Sequence, residues 1–210
     1  MINILIADDH SVVREGLKQI ISGNADMTVL AEACSGNEAI EKIRKNPISV
    51  AILDISMPGK NGLDTLKELK VMHPDLPVLI LSMYPEEQYA LRFFRAGASG
   101  YLTKKSAPEE LVTAIRTVSR GKKYVSPVLA EKLIGELDVT NEKPLHSALS
   151  DREFQVLCLM ASGKTSGEIA EELFLSVKTI STYRARILEK LRLKNTAELI
   201  NYAIQNQLVE

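Results

Sequence analysis

Within residues 1–120, short apolar runs alternate with segments of helical periodicity, and this alternation constrains the fold more than any other feature. Each run is short enough to form one buried strand, and each is followed by a helical pattern. The five runs are residues 2–7, 27–33, 51–55, 78–81 and 100–102. Strands that are apolar throughout are typical of parallel sheets covered by helices on both faces. We therefore predict an α/β fold with a five-stranded, parallel, doubly wound sheet.

The last 60 residues contain helical patterns and no strand-like run. Helix starts are marked along the chain by Ser or Thr followed three residues later by Glu, the pattern of a capping box. Four such pairs are taken to mark helix starts: Ser35 and Glu38, Ser106 and Glu109, Ser150 and Glu153, Thr165 and Glu168. Ser176 and Asn195 are expected caps for two further helices. We predict a small all-α domain of four short helices after the α/β domain.

Polar side chains close several of the predicted strands. Asp8 and Asp9 follow the first run, Asp54 lies in the third, Ser82 follows the fourth and Lys104 comes just after the fifth. An open parallel sheet binds ligands outside the carboxyl ends of its strands. Three carboxylates, a hydroxyl and an ammonium at one edge would suit a divalent cation and phosphoryl transfer to a carboxylate.

The chemistry assigns a role to each group. Asp54 is the natural nucleophile because it closes a buried strand, and Mg²⁺ would cancel its repulsion toward an anionic phosphoryl group. Lys104 would supply a fixed positive charge. Simpler interpretations exist for four residues: Asp8 and Asp9 as helix caps, Ser82 as another cap, and Lys104 as a solvated loop lysine. A lone carboxylate inside an apolar strand is costly unless paired or functional, so Asp54 is harder to explain in such a way.

Charge and composition narrow the class of protein. The net charge is −1, but residues 176–194 carry six basic side chains against one acid, the footprint expected of a nucleic-acid partner. A solvated charged face is the alternative.

The two cysteines, Cys34 and Cys158, favour a reducing compartment, and no apolar run is long enough to span a membrane. We expect a soluble, cytoplasmic protein with no membrane partner.

The pattern divides the chain into three parts. Residues 1–120 form the α/β domain, 121–146 a connecting helix and linker, and 147–210 the helical domain. The connecting helix is predicted from Ser126 to about residue 137, and the polar stretch 138–147, which contains Pro144, is interpreted as the linker.

These motifs together resemble a known family. The first 120 residues resemble the receiver domain of two-component response regulators, and the last 60 resemble the LuxR-type helix-turn-helix. The resemblance rests on motifs in order along nearly the whole chain: Asp8-Asp9, Asp54 with Met57-Pro58-Gly59 and Gly62, Ser82, Ala96 to Lys104, Leu149 to Glu153, Gly163, Glu168-Ile169-Ala170, Leu173, Ser176, Thr179 and Lys190-Leu191. Together the chain looks like a NarL/FixJ-class response regulator, with a flavodoxin-like receiver and a helix-turn-helix domain.

The resemblance implies a mechanism for the receiver. A sensor histidine kinase would phosphorylate Asp54, with Asp9, Asp54 and the Ser56 main-chain carbonyl as Mg²⁺ ligands and Asp8 acting through a water. Ser82 would turn toward the phosphoryl group while Tyr101 moves into the space left behind. One departure is Lys105, which stands where many receivers have a proline after a cis bond. A cis bond before a non-proline residue costs about 3–4 kcal/mol.

In the second domain, 165–173 would be the supporting helix and 176–191 the recognition helix. Val177, Ile180, Ile187 and Leu191 form one stripe that we expect to face the core. The residues predicted to contact double-stranded DNA are Lys178, Thr179, Ser181, Thr182, Arg184, Ala185, Arg186 and Lys190, with the arginines and Lys190 suited to phosphates. A second departure is that some relatives carry lysines where this chain has Ser181 and Ala185.

The predicted output is a change in transcription through a homodimer, with RNA polymerase as a further candidate partner. Residues 197–204 present Leu199, Ile200, Ala203 and Ile204 as a candidate pairing face, or as ordinary core. Phosphorylation would alter dimerisation or relieve a block of the recognition helix by the receiver. The alternative is a phosphatase of the haloacid-dehalogenase kind, but those enzymes place an aspartate two residues after the nucleophile, where this chain has Ser56. We expect no enzyme activity beyond the protein's own phosphoryl acceptance and dephosphorylation.

Overall fold

The computed structural model of the 210-residue chain describes residues 1–127, 129–130, 144–206 and 208–209. The chain divides into two compact units, Met1–Glu136 and Leu137–Glu210. Most of the predicted connecting helix and linker lies outside the described residues. Among the helices that are described, none combines the length and the apolar character needed to cross a membrane.

The first unit alternates strands and helices in the predicted order. Its elements are β1 (Ile2–Ala7), α1 (Ser11–Ser22), β2 (Met27–Ala33), α2 (Gly36–Lys45), β3 (Val50–Asp54), α3 (Gly62–Met72), β4 (Val78–Ser82), α4 (Glu86–Arg95), β5 (Gly100–Thr103) and α5 (Ala107–Ser119). All strand pairs are parallel, and the spatial order is β2-β1-β3-β4-β5. The prediction of a five-stranded, parallel, doubly wound sheet is confirmed.

The central strands are buried on both faces, which explains their continuous apolar sequences. Ile6 and Ile52 pack with Leu17 of α1 and Leu111 of α5 in one cluster on one side of the sheet. Since side chains alternate along a strand, the equally buried Leu53 belongs to the opposite face. Helices α2, α3 and α4 contact the strands as well. The sheet is therefore a rigid platform whose carboxyl edge carries the polar residues.

Two glycines shape the loop that follows β3. A side-chain carbon on Gly62 would lie 2.4 Å from the main-chain oxygen of Asp54 and 2.6 Å from the Cα of Ile55. Gly59 has φ +79°, a conformation that favours glycine. The close approach of α3 to the end of β3 therefore requires Gly62, and it fixes the backbone beside Asp54.

The segment after α5 stays attached to the sheet. The Tyr124 amide donates to the Ser99 carbonyl at 2.8 Å, and Tyr124 forms a parallel bridge with Gly100. The Ser126 hydroxyl donates to the Glu86 carboxylate at the start of α4. Residues 121–126 thus extend the platform beyond the last receiver helix.

Two of the four predicted capping boxes are absent or incomplete. Ser106 has φ −84° and ψ −15°, and its side chain does not cap α5. A capping residue needs extended backbone so that its oxygen can reach the amide three residues on. In this helical conformation the Ser106 hydroxyl donates to the Thr103 carbonyl at 3.3 Å instead. The prediction for Ser106 and Glu109 was wrong. At Ser35 half of the box is formed: Ser35 accepts from the Glu38 amide, but the Glu38 carboxylate accepts from the Cys34 amide and not from the Ser35 amide.

The described part of the second unit contains a short 3₁₀ segment, Leu145–Ala148, followed by four helices. They are α6 (Asp151–Ala161), α7 (Ser166–Glu172), α8 (Val177–Leu191) and α9 (Thr196–Gln205). Both predicted capping boxes, at Ser150 and Thr165, are formed, and Ser176 and Asn195 cap α8 and α9. The prediction of a small helical domain is confirmed.

Two expectations about the helical core need correction or refinement. Ile180, Ile187 and Leu191 are buried as predicted, but Val177 is 52% exposed because the first turn of α8 extends past the core. On α9, Leu199 and Ala203 are fully buried, so they belong to the core. Only the flank of the proposed pairing face remains accessible, chiefly the half-exposed Ile204.

Candidate functional site

Acidic side chains converge at the carboxyl ends of β1 and β3. Asp8 and Asp9 directly follow β1, Asp54 is the last residue of β3, and the two strands are neighbours in the sheet. Potential ligand atoms of these three residues and of His10 all lie within 4.8 Å of one another. Asp8 and Asp54 are buried. The parallel-sheet argument therefore correctly brings the three carboxylates together.

Lys104 reaches this cluster from the loop after β5. Its Nζ lies 2.7 Å from Asp8 Oδ2 and 2.9 Å from Asp54 Oδ2. Burial disfavours the charged form of Lys104, but the two carboxylates outweigh it and hold the lysine pKa above its usual value. Burial, with Asp8 adding to it, raises the pKa of Asp54 despite the nearby ammonium. One cation among three carboxylates leaves the site short of positive charge.

The cluster fits a divalent cation. Asp9 Oδ1 is buried and accepts no hydrogen bond from the described residues, although His10 Nδ1 approaches it at 2.9 Å. Asp8 Oδ2 is ion-paired with Lys104 Nζ at 2.7 Å. Carboxylate oxygens are the ligands that Mg²⁺ prefers. The Ser56 amide donates to Asp54 Oδ1 at 3.3 Å, which places Ser56 beside the same carboxylate.

His10 is a member of the cluster that sequence reasoning missed. Its amide donates to Asp8 Oδ1 at 2.8 Å, and its imidazole Nδ1 lies 2.9 Å from Asp9 Oδ1. The side chain is 63% exposed, so the imidazole forms the outer rim of the cluster. The sequence signal for this role is the position of His10 directly after Asp8 and Asp9.

Ser82 and Tyr101 meet at the backbone of a third residue, Tyr84. The Tyr84 amide donates to Ser82 Oγ at 2.9 Å, and the Tyr101 hydroxyl donates to the Tyr84 carbonyl at 3.0 Å. Ser82 and Tyr101 are both buried, and burial raises the pKa of Tyr101 far above its usual value. Tyr84 therefore links the hydroxyl at the end of β4 to the ring on β5. Sequence reasoning missed Tyr84 because the link uses its backbone.

The basic face of α8 is exposed. Lys178, Ser181, Thr182, Arg184, Ala185 and Arg186 are all exposed, while Thr179 is partly buried. A shallow depression runs along the helix, lined by Ser176, Lys178, Thr179, Thr182, Tyr183 and Arg186. Arg184 donates to the Thr196 hydroxyl at 3.3 Å, which ties it loosely to α9. The predicted DNA-contacting side chains, of which Thr179 is the most buried, thus lie on an accessible surface.

Lys190 has a different environment. Its Nζ lies 2.6 Å from Glu153 Oε2, and the Glu153 side chain is only 3% exposed. The same carboxylate oxygen accepts the Ser150 amide at 2.7 Å in the capping box of α6. Burial opposes ionisation, but Lys190 and the Ser150 amide outweigh it and hold the pKa of Glu153 below its usual value. Lys190 therefore stabilises a buried carboxylate inside the domain.

Comparisons with known proteins assign both units. The profile of the response regulator receiver domain matches residues 4–116, and the profile of bacterial regulatory proteins of the luxR family matches residues 147–203. The chain belongs to the NarL/FixJ class of response regulators. It is a DNA-binding transcriptional regulator controlled by phosphorylation.

The similar proteins align with nearly the whole length of this chain. The oxygen regulatory protein NreC of Staphylococcus carnosus is 39% identical over 214 residues, covering 99% of each chain, and that of Staphylococcus aureus is 40% identical. Among solved structures, the response regulator RcsB of Salmonella typhimurium is 29% identical with a TM-score of 0.60, covering 97% of this chain and 98% of that one. A heme-sensing-system regulator, ChrA, is 33% identical with a TM-score of 0.53, covering 99% and 98%.

The backbone shows whether the peptide bond before Lys105, where many receivers have a cis bond before proline, is cis or trans. The described residues contain no cis peptide bond, so the bond between Lys104 and Lys105 is trans. Lys104 nevertheless reaches Asp8 and Asp54, because its own amide donates to the Ser82 carbonyl at 2.6 Å and holds the loop against β4.

We expect Lys190→Ala to lower the free energy of unfolding of the response regulator's helical unit by about 2 kcal/mol. The substitution leaves the buried Glu153 carboxylate without its cation. We set the expected loss below the usual cost of breaking a buried ion pair, because Lys190 is partly exposed. Acidification should destabilise the wild type as pH falls below about 4.3, the ordinary pKa of Glu, because the unfolded chain then takes up a proton at Glu153 while the lowered pKa keeps the folded protein ionised there. The variant should be destabilised less, because it lacks the ammonium that favours the ionised form. Urea unfolding at several pH values measures both effects. Lys194→Ala, at an exposed position nearby, is the control, and equal losses in the two variants would contradict this role.

Proposed function

We propose that this regulator is switched by Mg²⁺-dependent phosphorylation of Asp54 by a partner sensor histidine kinase. The observation that carries the proposal is the buried Asp54 carboxylate with Lys104 Nζ at 2.9 Å and two further carboxylates beside it. Incubation with acetyl phosphate and Mg²⁺, followed by measurement of intact mass and DNA affinity, tests it.

The residues of the chain divide the work of phosphoryl transfer. An Asp54 oxygen attacks phosphorus, and the phosphorus–nitrogen bond of the donor phosphohistidine breaks with its electron pair staying on nitrogen. Lys104 offsets charge on the transferred oxygens, and the Ser56 amide restrains the other Asp54 oxygen. Asp9 and Asp54, with the Ser56 carbonyl, are the proposed direct Mg²⁺ ligands, while Asp8 is committed to Lys104 and acts through water. The bound ion would neutralise repulsion between the nucleophile and the phosphoryl group.

The reaction is proposed to end at the aspartyl phosphate and its hydrolysis, with no activity on other molecules. A phosphatase of the haloacid-dehalogenase kind needs a carboxylic acid two residues after its nucleophile to protonate a leaving group. Here that position is Ser56, whose amide is bonded to Asp54 Oδ1. A hydroxyl is too weak an acid for this step at neutral pH, which supports a regulator over an enzyme.

Helix α8 is the proposed recognition helix, entering the major groove of double-stranded DNA with its exposed basic face. A similar regulator, RcsB, has been solved as a DNA complex, and that chain is 28% identical over essentially all of this one. One helix contacts few base pairs, so we propose a homodimer on a two-part site. The accessible flank of α9 around Ile204 is the candidate pairing face.

Phosphorylation is proposed to act through one of two routes, altered dimerisation or relief of a block of the recognition helix. Sedimentation of the full chain before and after phosphorylation distinguishes them. A rise in mass accompanying the gain in DNA affinity supports dimerisation, and a gain in affinity at constant mass supports relief of a block.

We expect Mg²⁺ to raise the melting temperature of the unphosphorylated protein. An ion that binds only the folded state at 100 times its Kd adds about 2.7 kcal/mol of stability. Its binding should relieve the repulsion among Asp8, Asp9 and Asp54. Thermal unfolding with MgCl₂ and with NaCl at matched ionic strength checks this, and Asp9→Asn should reduce the difference. Identical melting curves in the two salts would argue against a cation site.

Arg186→Ala should weaken binding to all DNA sequences and make the salt dependence shallower, because phosphate contacts carry no sequence information. Thr182→Ala, at an exposed position that offers no charge to phosphates, should instead alter preference at one or two base positions. Affinities for selected and random duplexes at several salt concentrations separate the two effects. A changed sequence preference in Arg186→Ala with an unchanged salt slope would reverse the assignment of the two positions.

A further inference from the structure

An unassigned apolar side chain lies at the start of the recognition helix. Val177 is the first residue of α8 and is 52% exposed, whereas Ile180 and Ile187 on the same helix are fully buried. The N-terminal residues of a recognition helix are the ones that contact base edges in helix-turn-helix proteins. An exposed valine at this position is therefore outside the core and accessible to a base edge.

Val177 belongs to a ridge with Ser181 and Ala185. Residues four apart lie one above the other on a helix, so these three side chains line one side of α8 over two turns. All three are exposed. The ridge presents an isopropyl group, a small hydroxyl and a methyl group, and none of these three side chains carries charge.

The hydroxyl protons near this ridge are engaged by the helix itself. Ser181 Oγ donates to the Val177 carbonyl at 3.1 Å, and Thr182 Oγ1 donates to the Lys178 carbonyl at 3.0 Å. Each oxygen keeps lone pairs that can accept a hydrogen bond. The ridge thus offers aliphatic surface and acceptors, while the charged donors Lys178 and Arg186 lie along the neighbouring ridge that lines the depression.

This chemistry matches one base better than the others. Guanine shows two acceptors in the major groove and is read by charged donors such as arginine or lysine. Thymine shows a C5-methyl group, which apolar side chains contact, and its partner adenine shows an amino donor that a hydroxyl oxygen can accept. A ridge of methyl groups and acceptors is complementary to an A·T pair.

We propose that Val177 is a specificity-determining residue that contacts the C5-methyl group of a thymine, with Ala185 extending the apolar surface along the ridge. The proposal rests on the proposed DNA-binding function and adds the base class that the ridge selects. It also gives a role to the two positions, Ser181 and Ala185, where this chain lacks the lysines of some relatives.

The test replaces thymines one at a time by deoxyuridine, which lacks only the C5-methyl group. The full chain, treated with acetyl phosphate and Mg²⁺, is titrated against a duplex selected from random DNA, and Kd is measured by fluorescence anisotropy. Loss of one buried methyl contact corresponds to about a fourfold rise in Kd. We expect that rise at one thymine of each half-site in the wild type, and no rise there in Val177→Ala.

Two controls sharpen the result. Alanine forms helices well, so Val177→Ala should stay folded. Val71→Ala makes the same substitution at an exposed position of α3, to which no role in DNA binding is assigned, and should keep the full deoxyuridine effect. A wild type indifferent to every deoxyuridine, or a Val177→Ala variant that keeps the fourfold effect, would overturn the proposal alone. Failure of the phosphorylated wild type to bind any DNA would overturn both the proposed function and the proposal about Val177.

Discussion

Asp54→Asn is expected to take up no stable phosphoryl group from acetyl phosphate in the presence of Mg²⁺. The substitution removes the nucleophilic oxygen at nearly constant volume, and the amide nitrogen that replaces it cannot form the acyl phosphate. Lys104 would still contact Asp8, so the local structure should persist. Intact mass spectrometry of the wild type should show an added mass of one phosphoryl group, and the variant should show none.

The fold of the variant should be at least as stable as that of the wild type. Burial disfavours the ionised Asp54 carboxyl, as its raised pKa indicates, and a neutral amide avoids this cost. Thermal unfolding without Mg²⁺ therefore separates loss of the acceptor from loss of the fold. Asp64→Asn, which changes an exposed carboxylate on α3, is the matched control and should be phosphorylated normally. Normal phosphorylation of Asp54→Asn would place the acceptor elsewhere.

The strands and the acidic cluster were predictable from sequence because burial on both faces leaves a continuous apolar run. Once five such runs alternate with helices, the sheet must be parallel, and parallel strands present their carboxyl ends at one edge. Asp54, which closes β3, and Asp8, which follows β1, had to meet for this reason.

Contacts that depend on backbone geometry were not predictable. The link from Ser82 to Tyr101 passes through the main chain of Tyr84, where any residue type could stand. The Ser106 motif failed because its backbone is helical and not extended.

Helical periodicity placed Val177 in the core because it gives the direction of a side chain but not how far the core extends along the helix. Lys190 was assigned to phosphates by its position in a basic run. Its ion pair with Glu153 joins two residues that are 37 positions apart in the sequence, which no local pattern records.

Ser82→Ala is expected to accept phosphate at Asp54 but to lose the gain in DNA affinity that phosphorylation brings. In the unphosphorylated protein, Ser82 Oγ accepts the Tyr84 amide at 2.9 Å, and Tyr84 in turn accepts the Tyr101 hydroxyl at 3.0 Å. If the Ser82 hydroxyl turns to donate to a phosphoryl oxygen, the Tyr84 amide loses its acceptor and the contact to Tyr101 is disturbed. The added charge at Asp54 would thus be converted into a backbone movement ahead of α4.

Removing the hydroxyl uncouples the two ends of this chain of contacts. In Ser82→Ala the Tyr84 amide lacks this acceptor before phosphorylation, so phosphorylation cannot break the hydrogen bond between them. Ser82→Thr keeps the hydroxyl and is the matched control, and Tyr101→Phe removes the last hydrogen bond while keeping the buried ring. DNA affinity of the full chain, measured at one salt concentration before and after acetyl phosphate, should rise for wild type and Ser82→Thr and stay nearly constant for Ser82→Ala. A full gain of affinity in phosphorylated Ser82→Ala would show that the signal leaves Asp54 by a route that does not involve β4.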